Sequence, residues 1–370
     1  MRTKGEVRSI HIDSRRPGGT ATTRRPHCTG QHEVLSYGFR GGTFFLATCR
    51  HTDLWAANGG LRVTADATPA EAQAESEALA CLMSDKHRLY GTGFCGAKLV
   101  VPGAPDRRAL LDAVAYALQD LRGAVLTGCD MGTGLDDMRD LGSTTPHVLS
   151  CLDLPVDSNH ATAYGVVGAI EATLPALSLK LSAARVLVHG TGKVGAAVAR
   201  ILAAAGATVY THDLQAEAAR IHGCIPVEDW ESVGCDILSP CSGAGLIDPT
   251  LAGRIRCGAI VGAANRVLAD EVRTAQILAA RGILFIPEAL SSAGAVICDS
   301  IEHYARHELR SASPGAAYGF VQHLVRAKVE GTIERIERTR ELPLQAIPHL
   351  FEPPTAIPCG QAFRAERTSG

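Results

Sequence analysis

The amino-acid sequence predicts an α/β protein of two domains, the second built on a doubly wound parallel sheet. Three observations carry this. The chain has 370 residues, 46% of them hydrophobic, more than one core usually organises, and enough for two domains with a cleft between them. From Ala184 onward short apolar runs alternate with helical stretches, with a glycine-rich turn after the first, the rhythm of parallel strands joined by helical crossovers. Before residue 160 the text mixes strand formers with two helical stretches, the makings of a separate α/β unit.

In chain order, residues 1–30 read as a loose leader, 31–160 as the first domain, 161–305 as the second, and 306–370 as C-terminal helices returning toward the first domain, with a Pro-containing tail. Strand formers and a Gly-Gly pair mark residues 33–66. From Pro69 to Ser84 apolar residues recur at helical spacing, and Asp106 to Arg122 repeats the pattern. Between them Ala97 to Val101 reads as a short buried strand with Lys98 near its start. Ser, Thr, Pro and Asp cluster as a break over Gly142 to Asn159, and Ala161 to Leu174 is helical again. A strand over Arg185 to His189 leads into a glycine turn and a helix, then into a strand that ends at Asp213. Further strands are expected at Asp236 to Leu238, Ala259 to Val261 and Ile283 to Ile286. One or two amphipathic helices span about Glu302 to Arg340, and the Pro-rich end begins near Pro343. No repeat of fixed period occurs.

A formal net charge of -2 leaves no electrostatic footprint for nucleic acid or an anionic membrane. The N-terminus is basic but lacks the apolar run of a signal peptide, and no segment approaches the length of a membrane span. Arg15, Arg16, Arg24 and Arg25 are read as a solvated tail. Twelve cysteines, among them Cys28, Cys95, Cys129, Cys241 and Cys298, show no C-x-x-C pair and no ligand-like spacing to histidine, so neither a metal site nor a disulfide framework is expected. A soluble, cytoplasmic protein acting on a small molecule fits this composition.

Gly190-Thr191-Gly192-Lys193-Val194-Gly195 follows a strand directly and opens a helix. In that context the first glycine permits a tight turn, the second lets backbone approach a pyrophosphate, and the third allows close packing of the helix. The helix N-terminus then faces the phosphate charge. Asp213 ends the next strand, at about the distance where an acid accepts hydrogen bonds from ribose hydroxyls and repels a 2′-phosphate. A Rossmann-type domain binding NAD is therefore expected.

The first half contains W-A-A-N-G-G-L-R from Trp55, D-K-H-R-L-Y-G-T-G-F-C-G-A-K-L-V-V from Asp85, and T-G-C-D-M-G-T from Thr127. Downstream of the glycine turn come C-D-I-L-S-P-C from Cys235 and G-A-A-N from Gly262. In this order, from about Trp55 to Glu302, the chain resembles the glutamate, leucine, phenylalanine and valine dehydrogenase family, nearest its leucine and valine branch. The resemblance implies NAD-dependent oxidative deamination of an L-α-amino acid to a 2-oxo acid and ammonia, reversibly. It implies a first domain that holds substrate and forms a homodimer or larger homo-oligomer. It implies Lys86 as the holder of the substrate carboxylate, Lys98 as general base and Asp130 as the carrier of protons to and from nitrogen. Burial of Lys98 beside a second cation, for which Lys86 is the candidate, brings its pKa toward the working range. The backbone N–H groups of Gly59 and Gly60 are expected near the substrate carboxylate, Thr162 near the nicotinamide carboxamide, and Cys241, Ala263 and Asn265 along the coenzyme, with Asn265 also touching substrate.

The chain departs from that pattern in places. Cys95-Gly96-Ala97 replaces a more glycine-rich stretch, Ser292-Ala293-Gly294-Ala295 replaces Asn-Ala-Gly-Gly, and Asn265-Arg266 replaces an Asn pair. In the side-chain pocket, around Val296, Asn58 and Asp299 stand where aliphatic-specific members are apolar, and Gly128 stands where they carry alanine. An aliphatic substrate packed on Asn58 and Asp299 leaves polar groups unsatisfied, costing about 1–3 kcal/mol each. A bulkier, polar, even cationic side chain is expected, with Gly128 providing room. Two other readings stay open: an NAD-binding amino acid sensor without turnover, and an enzyme that couples an amine to an oxo acid through the same imine chemistry.

Overall fold

The computed structural model describes residues 9–12, 31–354 and 356–364. Arg15, Arg16, Arg24, Arg25 and Cys28 lie outside the described residues. The chain divides into two compact units, the first comprising Met1–Leu154, Glu302–Tyr304 and Phe351–Ala362, the second Pro155–Ile301, Ala305–Leu350 and Phe363–Gly370.

The first unit carries β1 (Ser9–Ile12), β2 (Gln31–Phe39), β3 (Gly42–Arg50), β4 (Ala57–Thr64), α1 (Pro69–Tyr90), β5 (Cys95–Pro102), α2 (Arg107–Asp120), β6 (Val125–Cys129) and α3 (Leu135–Gly142). Its sheet runs β1-β2-β3-β5-β4-β6. The first three strands and the β3–β5 pair are antiparallel, whereas β4 is parallel to both β5 and β6. Residues expected to form only a loose leader thus contribute β1, an edge strand. β2 and β3 join through Arg40-Gly41, and Gly41 takes the positive φ of 97° that such a tight connection requires.

Thr68 and Glu71 form a capping box at the start of α1, Pro69 occupies its first turn, and Gly91 closes it in the left-handed conformation. The helix runs six residues past the expected end at Ser84. Its last turns, Ser84, Asp85, Lys86 and His87, are polar yet buried, so apolar periodicity does not reveal them. Helix α3 is also missed by periodicity because only Met138 and Leu141 on it are buried. The core lies around Phe44, Leu46, Leu61, Leu99, Leu110 and Val114.

The second unit carries α4 (Ser158–Thr173), β7 (Arg185–His189), α5 (Lys193–Ala204), β8 (Thr208–His212), β9 (Ile225–Pro226), β10 (Ile237–Pro240), α6 (Pro249–Arg254), β11 (Ala259–Val261), α7 (Glu271–Ala280), β12 (Leu284–Ile286), α8 (Glu288–Ser291), α9 (Gly294–Tyr304), α10 (Arg306–Ser311) and α11 (Pro314–Thr339), although the last three residues of α9 are assigned to the first unit. Its strands lie in the order β12-β11-β10-β7-β8-β9, all parallel. This is the doubly wound arrangement, with the order reversing between β7 and β10, where such sheets bind ligands. Helix α11 packs along α4 within this unit. A side chain at Gly168 would meet the Gln322 carbonyl at 2.4 Å, so the two helices approach as closely as glycine permits. Past Tyr304, the stretch assigned to the first unit is 351–362, and Ala305–Leu350 belongs to the second. Among the described residues no helix is long and apolar enough to cross a membrane.

Candidate active site

Three neighbouring strands position the chemistry of the first unit. Lys98 stands on β5, Arg62 on β4 and Asp130 just past the end of β6, and β4 lies between the other two. Lys98 Nζ lies 2.5 Å from Asp130 Oδ2. The Arg62 guanidinium donates to the same oxygen through Nε at 2.8 Å, and through its other nitrogens to Asp130 Oδ1 at 3.4 Å and Glu75 Oε1 at 2.6 Å. Two cations and two carboxylates form a connected network, with the Lys98 side chain 7% exposed. Thr133 Oγ accepts a hydrogen bond from the Asp130 backbone N–H at 2.9 Å and so pins the loop that presents the carboxylate.

Burial pushes the Lys98 amine below the usual lysine range; Asp130 opposes this and the Arg62 charge reinforces it. Burial works against the Asp130 charge too, but Lys98 and Arg62 outweigh it and hold the carboxyl well below the usual range. A cation acting against the Lys98 charge is thus Arg62, a residue that the sequence reading did not name beside Lys86. Arg62 closes the Trp55–Arg62 motif, yet nothing in the order of residues shows that β4 carries it between a lysine and an acid 36 and 68 positions away.

Gly60 pairs with Gly128 on β6 and is followed two residues later by Arg62. A Cβ on Gly60 would meet Asp130 Cβ at 2.9 Å and the Cys129 carbonyl at 2.8 Å, so its missing side chain admits the carboxylate. A Cβ on Gly59 would overlap the Ala97 carbonyl at 1.7 Å, and the Gly59 carbonyl accepts from Thr127 Oγ1 at 2.9 Å. Both glycines are required by the packing of β4 between its neighbours, independently of any ligand.

Lys86 is buried just before the last turn of α1. Beside it, His87 is wholly enclosed, and burial lowers its pKa to about 3. The neutral ring donates from Nε2 to the Asn58 carbonyl at 3.2 Å and accepts at Nδ1 from the Thr92 hydroxyl at 2.6 Å. This ties the end of α1, and with it Lys86, to β4 next to Gly59. Asn58 is buried at 1% exposure. Gly128 does not open space: a Cβ there would meet the Leu149 carbonyl at 2.2 Å, because main chain from residues 148–150 runs against β6. The expectation that Gly128 makes room for a large substrate is therefore corrected.

In the second unit the glycine turn joins β7 to α5. Gly190 has φ 89° and lies against Ser242; Gly195 closes on the Gly190 carbonyl, which a Cβ would meet at 1.9 Å. Gly192 caps α5 and has nothing within 4 Å of its Cβ position, so the N-terminal amides of the helix, from Lys193 and Val194 on, have an open approach. Asp213 accepts from the Thr191 backbone N–H at 2.7 Å and hydroxyl at 3.2 Å, and from the Gln215 N–H at 3.0 Å. The amides of Gln215 and Thr191 hold its carboxyl below the usual range. Asp213 thus braces the turn through Oδ2, and Oδ1, which accepts one bond, retains acceptor capacity for a ribose hydroxyl. His189 was not foreseen: it packs edge-on to Trp230 at 4.7 Å and bonds Ser242 at 2.8 Å from the strand end.

Around that turn, the Cys241 backbone N–H bonds the His189 carbonyl at 2.7 Å, and the amides of Ala263 and Ala264 bond the Pro240 carbonyl at 2.8 and 2.9 Å. Asn265 is half-buried on the same loop, followed by Arg266 with φ 53°. Thr162 on α4 donates its hydroxyl to the Ser158 carbonyl at 2.9 Å. Gly294, retained in the altered Ser-Ala-Gly-Ala stretch, abuts Ala161 and Thr162 so closely that a Cβ would lie 2.1 Å from the Ala161 carbonyl. On α9, Val296 is buried and Asp299 half-buried. The residues present suit a dinucleotide: an open helix N-terminus, a glycine cradle and a braced acid at the neighbouring strand end.

Residues 156–213 and 210–346 match the model of the Glutamate/Leucine/Phenylalanine/Valine dehydrogenase family. The phenylalanine dehydrogenase of Lysinibacillus sphaericus is 31% identical over 278 residues, spanning 70% of this chain and 73% of that protein. The leucine dehydrogenase of Thermoactinomyces intermedius is 27% identical over 309 residues, 80% of each. In fold, the chain is similar to the crystal structure of L-tryptophan dehydrogenase from Nostoc punctiforme, with a TM-score of 0.67 at 24% identity over 84% of this chain and 90% of that one. It is likewise similar to a hetero-hexameric glutamate dehydrogenase from Thermus thermophilus, with a TM-score of 0.69 at 22% identity over 86% and 88%. The chain belongs to the glutamate/leucine/phenylalanine/valine dehydrogenase family of NAD(P)-dependent enzymes and is an amino acid dehydrogenase, an oxidoreductase acting on CH–NH2 donors.

Proposed function

We propose that this enzyme oxidatively deaminates an L-α-amino acid with a bulky or polar side chain, using NAD, with Lys98 and Asp130 at the reacting centre. The observation that carries the reading is the buried Lys98–Asp130–Arg62–Glu75 network. NAD, when bound, would supply the hydride acceptor for the substrate Cα; this chain's own residues act on the iminium carbon then open to water. Lys98, once its proton has passed out through the network, is an amine of depressed basicity that takes a proton from that water as it attacks. Asp130, held ionised at rest, takes up the proton that Lys98 gained and hands it to the departing nitrogen, and Lys98 accepts the hydroxyl proton as the carbinolamine collapses to oxo acid and ammonia. Lys86, buried and steered by His87, holds the substrate carboxylate, with Gly59 and Gly60 beside it. Asp213 favours NAD by repelling a 2′-phosphate. Gly190, Thr191, Gly192, Lys193, Val194 and Gly195 cradle the coenzyme, flanked by Thr162, Cys241, Ala263 and Asn265.

The side-chain preference rests on Asn58, buried and polar, and on Asp299 and Val296. Relatives named phenylalanine and tryptophan dehydrogenase support a bulky substrate. A homo-oligomer in the cytoplasm completes the proposal; the hetero-hexameric neighbour supports oligomerisation. The test is NADH formation at alkaline pH with a panel of amino acids. Arginine, lysine, glutamine, phenylalanine or tryptophan is expected to give the highest kcat/KM; valine or leucine turning over at least as well overturns the side-chain assignment. Lys98→Met is expected to abolish turnover, and Lys86→Met to raise KM for the amino acid at least about tenfold with little change for NAD; the opposite split refutes the roles.

A further inference from the structure

We propose that His32, Cys49 and Cys81 form a binding site for zinc. The three residues come from the start of β2, the end of β3 and the middle of α1. His32 and Cys49 are register partners across the β2–β3 pair. The His32 ring stands between the two sulfurs, with Nε2 3.9 Å from Cys49 Sγ and Nδ1 3.8 Å from Cys81 Sγ, and one ligand atom from each residue falls within 4.8 Å of the others. Tetrahedral zinc, with bonds of about 2.3 Å to sulfur and 2.0 Å to nitrogen, sets its ligand atoms roughly 3.5–3.8 Å apart. To meet that geometry the ring turns so that one nitrogen faces both sulfurs, and separations of up to 4.8 Å close by about 1 Å.

Donor chemistry selects the metal. Two thiols and an imidazole suit zinc and exclude calcium or magnesium, which require oxygen ligands. Both cysteines are buried, at 1% and 5% exposure, among Val34, Ala47 and Ala80. On binding, the divalent ion displaces one proton from each thiol to solvent, and two thiolates with a neutral imidazole make an uncharged unit. Such a unit enters an apolar cluster without the cost of a buried net charge. A fourth position remains for water or another ligand. The residues stand 17 and 32 positions apart in the chain, which is why no short-range spacing reveals them.

The site shares no residue with the proposed catalytic network, but it grips the same scaffold. Cys81 lies on the helix that carries Lys86, and Cys49 pairs with Gly96 on the strand that carries Lys98. Zinc here fastens β2, β3 and α1 together, a stabilising role.

Metal binding is read directly on the whole protein, without recourse to activity. Chelator-treated enzyme kept reduced with a phosphine is titrated with cobalt(II), then with zinc. The expected result is a near-ultraviolet thiolate-to-cobalt band that saturates at about one ion per chain and is displaced by zinc. About one zinc per chain is expected to survive gel filtration and to raise Tm by several degrees. Cys49→Ser, Cys81→Ser and His32→Gln each weaken retention at least about tenfold, whereas Cys224→Ser on the other unit leaves it unchanged. His32→Gln, half-buried at a strand start, serves where a cysteine variant fails to fold. Absence of the cobalt band, or zinc retention unaltered in His32→Gln and the folded cysteine variants, overturns the proposal.

Discussion

The most informative perturbation is Arg62→Met, which removes a cation and keeps the length of the side chain. Lys98 Nζ and Arg62 Nε lie 2.5 and 2.8 Å from one carboxylate oxygen, so no more than about 5 Å separates them. Two like charges at that distance, with an effective dielectric constant near 20, repel by about 3 kcal/mol. Their side chains are 7% and 12% exposed, so solvent screens little of it. Lys98 reacts as the free amine, and its folded pKa is depressed; activity therefore rises with pH through that depressed value. Without Arg62 the ammonium is favoured, and the acid limb of kcat/KM moves to higher pH. At neutral pH the loss is expected to be about tenfold to a hundredfold, the Coulomb figure discounted for the intervening carboxylate, and most of it is recovered near pH 10. The assay is a pH profile of kcat/KM on variant confirmed as folded by circular dichroism. A merely structural Arg62 lowers activity equally at all pH. A uniform loss, or an acid limb moving to lower pH, refutes the assignment of Arg62 as the cation that tunes Lys98.

Four further outcomes follow from the same geometry. Gly60→Ala puts a methyl within 2.9 Å of Asp130 Cβ; thermal denaturation should show a loss of about 1–3 kcal/mol, with kcat falling more than KM changes. Gly128→Ala meets the Leu149 carbonyl, so it should lower Tm while leaving the ratio of kcat/KM between large and small amino acids unaltered; a selective loss of large substrates would restore Gly128 to the pocket. Asp213→Ser removes both the brace on Thr191 and the charge that rejects a 2′-phosphate; the ratio of kcat/KM for NAD over NADP should fall at least about tenfold, and an unchanged ratio removes Asp213 from coenzyme selection. Because the Asp130 carboxyl is held low, it contributes stability above its unfolded range that is lost as pH falls through the folded value; Asp130→Asn should flatten the acid side of the stability curve, measured as Tm between pH 3 and 7.

Legibility in the sequence followed the range of the interaction. The glycine turn could be read because Gly190, Gly192 and Gly195 serve a strand, a turn and a helix adjacent in the chain, so spacing and function coincide. Periodicity found most of α1 and α2, whose buried faces are apolar. It failed where buried residues are polar, as at Asp85, Lys86 and His87, because their hydrogen bonds rather than their hydropathy keep them inside. It failed again at β1, a short edge strand within a span that reads as loose.

By itself, the order of residues determined the α/β class and the strand–glycine turn–helix unit, whereas Lys86, Lys98 and Asp130 were singled out by the family resemblance. Tertiary structure alone decided that Arg62 and Lys98 share Asp130, that Gly128 faces main chain, and that a histidine and two cysteines distant in sequence meet among β2, β3 and α1. Local motifs are encoded by backbone requirements a few residues long, whereas the register of a mixed sheet chooses which side chains share a face, and that choice is settled only when β4 is laid between β5 and β6.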